Sequence, residues 1–100
     1  MELNKIPKEL YIAGQKITIE IDDTLSYNDE LAAACNHKNS IKICKNFKGN
    51  NLSDDMIEQS LWHEITHHIL YKMNEFELTS NERFVQTFSL LLHQVIKTLK

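Results

Sequence analysis

The hydrophobic period of this 100-residue chain changes near Asn50, from the two-residue repeat of strands to the 3.6-residue repeat of helices. Before that point Lys16-Ile17-Thr18-Ile19-Glu20-Ile21-Asp22 alternates apolar with polar, the signature of a half-buried strand. Leu31 to Cys35 and Ile41 to Cys44 are two further short apolar segments. The polar stretch Asn36-His37-Lys38-Asn39-Ser40 between them reads as a hairpin turn, with His37 in solvent. A tight turn there would let Cys35 and Cys44 face each other across the hairpin as small buried apolar groups. Ile12 to Lys16, with Gly14, reads as a turn into or between the first strands.

Beyond Lys48-Gly49-Asn50-Asn51 the helical period takes over. Asp54 or Asp55 can cap a first helix, and Asp55 with Glu58 has the spacing of a capping box. At about 100° per residue, Ile57, Leu61, Ile65 and Ile69 fall on one arc, with Trp62 at its margin; that arc is expected to face the core as far as about Met73. A second helix is expected from about Ser80, capped by Thr79. On it Phe84, Val85, Phe88, Leu91, Leu92, Val95, Ile96 and Leu99 form one apolar stripe. Three or more strands followed by two long helices make an α+β layer fold, and 100 residues accommodate one domain with one core.

Composition removes several classes of function. Hydrophobic residues make up 42% and charged residues 25%, too apolar for a disordered chain. The net charge is −3 and Arg83 is the one arginine, so no broad basic surface exists for a nucleic-acid backbone. The strictly apolar runs are a few residues long, far short of a membrane span, and Met1 to Glu9 lacks the basic-then-apolar order of a secretory signal. Two cysteines are too few for a disulfide framework. These features point to the cytosol, with both thiols reduced.

Within the first long helix stands His63-Glu64-Ile65-Thr66-His67, an H-E-x-x-H motif. Helix positions four apart point the same way, about 6 Å apart, so His63 and His67 can present their imidazoles to one Zn²⁺. Glu64, following the first ligand, is placed to act as the general base toward a water whose pKa the metal lowers to about 7. On the wheel both histidines lie opposite the apolar arc, with Ser60, Glu64 and Tyr71 on the same flank. A chance match to the motif in a chain of this composition arises roughly 2% of the time. The competing account is an exposed His-Glu face on an amphipathic helix.

A catalytic zinc takes three protein ligands and keeps one open position. A metzincin continuation would need Gly at position 70 and His at position 73, where the chain has Leu70 and Met73. A carboxylate from the following helix is the better candidate: Glu82 leads, with Glu75 and Glu77 as alternatives in the connecting segment. Thr79-x-x-Glu82 is also a capping box, which accounts for Glu82 without any metal. His68 falls on the apolar arc and reads as a hydrogen-bonded core histidine. Tyr71 is expected to pack, and His93 to be exposed.

The stretches Leu61-Trp62-His63-Glu64-Ile65-Thr66-His67-His68-Ile69-Leu70-Tyr71, Asn81-Glu82-Arg83-Phe84-Val85-Gln86 and Leu91-Leu92-His93-Gln94-Val95-Ile96-Lys97 resemble small single-domain zinc metallopeptidases of the gluzincin type, the minigluzincins, often encoded by phages, prophages and prokaryotes. The resemblance implies zinc held by His63, His67 and Glu82, with Glu64 as general base and a peptide or protein as substrate. It also implies a sheet edge formed near Ile41-Lys42-Ile43-Cys44, to which an extended peptide could add. His68 departs from the small or apolar residue usual there. A chain of 100 residues is expected to lack the second domain with which larger gluzincins close on substrate, so a catalytically silent, zinc-stabilised binding module is the competing expectation.

Overall fold

The computed structural model describes residues 6–28, 33–36 and 39–99; the expectations that involve Met1 to Lys5, Leu31 and His37 lie outside them. Strands β1 (Glu9–Ile12) and β2 (Gln15–Ile21) form an antiparallel hairpin. Its two turn residues, Ala13 (φ 53°) and Gly14 (φ 76°), are both left-handed, the geometry that matches the twist of paired strands. A one-turn helix, α1 (Leu25–Asn28), leads to a second hairpin of β3 (Ala33–Asn36) and β4 (Ser40–Ile43). β4 inserts parallel to β2, so the four-stranded sheet has the order β1-β2-β4-β3. A short ribbon of β5 (Asn46–Phe47) and β6 (Asn50–Asn51) delivers the chain to α2 (Asp54–Lys72), α3 (Phe76–Thr79) and α4 (Glu82–Thr98). The α+β class expected from the two periods is the observed one. Among the described residues no helix is long and apolar enough to cross a membrane.

The strand period does what its pattern requires. Ile17 and Ile19 of β2 and Ile41 and Ile43 of β4 are buried and meet Ile57, Leu61 and Ile65 of α2. Burying each such side chain contributes about 1.5–3 kcal/mol. Two details of the sheet differ from expectation. Cys35 stands opposite Ile41, and Cys44 follows the end of β4, so the two cysteines do not face each other. Instead the buried Cys44 thiol donates to the Asp22 carbonyl at 3.4 Å, and burial pushes its pKa up. The sheet edge next to α2 is β3, because β4 is enclosed between β2 and β3.

The helix ends also differ. Ser53 caps α2, its Oγ accepting from the Met56 amide at 3.2 Å, while Asp54 and Asp55 occupy the first turn, where carboxylates favour the helix N-terminus. α2 closes in a Schellman turn: the Glu75 amide donates to the Leu70 carbonyl at 2.9 Å and the Asn74 amide to that of Tyr71 at 3.0 Å. Asn74 takes the left-handed conformation (φ 60°) that this turn demands.

α2 is covered on two sides, by the sheet and by α4, which explains why its apolar arc is not continuous. Ile69 is 36% exposed, whereas Leu70, Thr66 and His68 are buried. On α4 the buried line is Val85, Ser89 and His93, spaced four apart. Phe88, Leu91, Val95 and Leu99, half of the expected stripe, are exposed. The small Ser89 lets the helices approach. His93, expected in solvent, is instead 4% exposed and donates from Nε2 to Glu58 Oε1 at 3.1 Å. Lys97 and Asp55 form a further α2–α4 ion pair at the surface.

Three outcomes test this packing. Asn74→Ala should cost about 1 kcal/mol in denaturant unfolding, whereas Asn74→Gly should cost little. His93→Leu should cost about 2–3 kcal/mol by stranding Glu58, with part of that recovered in the double variant carrying Glu58→Leu. The hydrogen bond from Lys97 holds the Asp55 carboxyl below the usual range, so its stabilisation is present above about pH 4 and is lost as pH falls through the depressed value. Asp55→Asn should therefore differ from the parent at neutral pH and converge with it in acid unfolding.

Candidate metal centre

One turn of α2 separates His63 from His67, and the two rings lie 5.0 Å apart between centroids with their planes at 64°. Both side chains are mostly buried, at 19% and 15% exposure, with their Nε2 atoms turned toward the start of α4. There Glu82 receives them. Its Oε2 lies 3.2 Å from His63 Nε2 and its Oε1 3.1 Å from His67 Nε2. The edge of a tetrahedron of nitrogen and oxygen ligands about 2.0–2.1 Å from zinc is about 3.3 Å, so both nitrogen–oxygen spacings are close to that of a filled site. All three ligand atoms lie within 4.8 Å of one another, and among the described residues these side chains form the one group that could hold a metal ion.

Local structure explains why Glu82 is available. The competing capping box is not formed: Asn81 caps α4, its Oδ1 accepting from the Phe84 amide at 3.0 Å. Thr79 belongs to α3 and turns back to His67, with Oγ1 2.9 Å from Nδ1. Glu82 is left in the first turn of α4 with its carboxylate directed at the histidines, its side chain 68% exposed. Glu75 and Glu77, the alternative third ligands, are exposed and stand apart from the group. The turn at Asn74 accounts for Glu75, whose amide is used in closing α2.

Glu64, next to His63 on α2, is buried at 7% exposure. His68 is the core histidine expected, 3% exposed with Nε2 donating to the Ser40 carbonyl at 3.2 Å. Tyr71 packs edge-on against Phe76, 5.5 Å between centroids. One partner went unread in the sequence: Gln86 Oε1 lies 2.7 Å from His63 Nδ1. The available signal was its spacing, four residues after Glu82 and hence on the same face of α4.

Two imidazoles and one carboxylate form a donor set with a single negative charge, suited to a borderline cation such as zinc. Glu82's exposure leaves the outer side of the group open to a further ligand. Comparison with known proteins gives no match, whether to a family model, a curated protein or a solved structure.

Proposed function

We propose that this chain is a zinc-dependent peptidase of the gluzincin type, with His63, His67 and Glu82 as the metal ligands and Glu64 as the general base. The observation that carries the reading is the convergence of both Nε2 atoms on the two oxygens of one carboxylate from a different helix. Zinc held there would supply Lewis-acid activation of water and of a peptide carbonyl. Glu64, next to His63 on the same turn, would take the proton and return it to the leaving amine. An extended peptide would find its main-chain partners along β3, the edge strand against α2.

One observation favours a second reading, a zinc-stabilised module that binds a peptide without cleaving it: the burial of Glu64. The same experiment separates the two. Protein purified without chelators should carry about one zinc per chain, and His63→Ala or Glu82→Ala should lose it. Glu64→Gln should keep the metal and lower hydrolysis of a quenched peptide library by roughly 10² or more. Stoichiometric zinc in a parent protein that cleaves nothing selects the binding module. Hydrolysis untouched by Glu64→Gln removes Glu64 from the chemistry, and no stoichiometric zinc ends both readings.

A further inference from the structure

The edges of the two imidazoles that face away from Glu82 are both engaged, each by a different element. His63 Nδ1 lies 2.7 Å from Gln86 Oε1 on α4, and His67 Nδ1 lies 2.9 Å from Thr79 Oγ1 on α3. An amide oxygen only accepts, so His63 must donate from Nδ1. The Thr79 hydroxyl also has the His67 carbonyl 3.5 Å away, and a hydroxyl that donates there can accept from His67 Nδ1. Both Nδ1 atoms thereby have an acceptor at hydrogen-bond distance outside the metal group. With Nδ1 engaged in both rings, Nε2 is the nitrogen left for a cation, and both Nε2 atoms converge on Glu82.

We propose that Gln86 and Thr79 are positioning residues that select the metal-binding tautomer of His63 and His67 and hold the two rings at their mutual angle before a cation arrives. The proposal rests on reading the three-residue group as a zinc site. Gln86 is exposed, so core packing does not account for its orientation. Its placement gives α4 two tasks one turn apart: Glu82 supplies the third ligand and Gln86 anchors the first. α3, four residues long, is held against α2 by the Asn74 turn, and Thr79 is the residue it brings to His67. Outer hydrogen bonds of this kind set ring orientation and raise the basicity of the ligating nitrogen.

The test uses the full chain, with Zn²⁺ affinity from competition against a chromophoric chelator and the visible spectrum of the Co²⁺-loaded protein. Gln86→Leu and Thr79→Val should each weaken Zn²⁺ binding by roughly 10- to 100-fold and alter the Co²⁺ bands. Gln86→Glu and Thr79→Ser, which keep an acceptor at the same place, should bind within a few-fold of the parent or tighter. That pattern of loss and rescue is one a purely structural role would not give. Should Thr79→Val fail to fold, Gln86→Leu at its exposed site carries the test alone. Parent-like affinity and an unchanged Co²⁺ spectrum in Gln86→Leu, with the parent binding one zinc, overturn the positioning role and leave the metal site standing. A parent that binds no stoichiometric zinc overturns both.

Discussion

The docking of α4 on α2 is the contact on which the candidate site depends. Val85, Ser89 and His93 run along α4 at four-residue spacing and lie buried against α2, with the His93–Glu58 hydrogen bond well along the contact from the site. This line fixes the rotation of α4 about its own axis. Glu82 and Gln86 occupy the turn that the fixed rotation aims at the histidines. A rotation by one residue, about 100°, would carry both away. The seam is therefore more than a hydrophobic contact: a small hydroxyl residue sets the approach, and a buried imidazole–carboxylate pair specifies the angle.

Electrostatics favour the same arrangement. Glu82 sits in the first turn of α4, where the unpaired amides of a helix start favour negative charge. Its carboxylate meets two imidazole nitrogens on the other side. A cation of suitable size can bridge these nitrogen–oxygen contacts when bound. The cluster can thus receive a cation without a large rearrangement.

The change of period near Asn50 made the α+β order legible, because a strand with one buried face and a helix with an apolar arc leave different repeats. The motif at His63, Glu64 and His67 was legible for the same reason, since four-residue spacing on a helix is a local fact. What escaped depends on neighbours distant in the chain. The family resemblance implied an edge at β4, but its parallel insertion beside β2 encloses it between two strands. The apolar stripe of α4 mispointed because Ser89 and His93 are polar and still face inward. Capping went to Ser53 and Asn81 rather than to Asp54, Asp55 or Thr79, all of them residue types that can cap, so spacing did not discriminate. Glu82 was found among three glutamates by its position. Gln86 has no motif that marks it.

From Phe84 through Ile96 the last helix carries no Asp, Glu, Lys or Arg. With no ion pairs between successive turns over that span, it has little intrinsic reason to be helical in water and takes its shape from α2. A pair of histidines four apart survives in almost any isolated helical fragment, but the carboxylate that completes the trio is in place only in the assembled tertiary structure. Occupancy by a cation with the coordination of all three would therefore report that the C-terminal helix is seated, and a fragment ending before residue 82 would show only the weak, two-handed grip of the histidines alone.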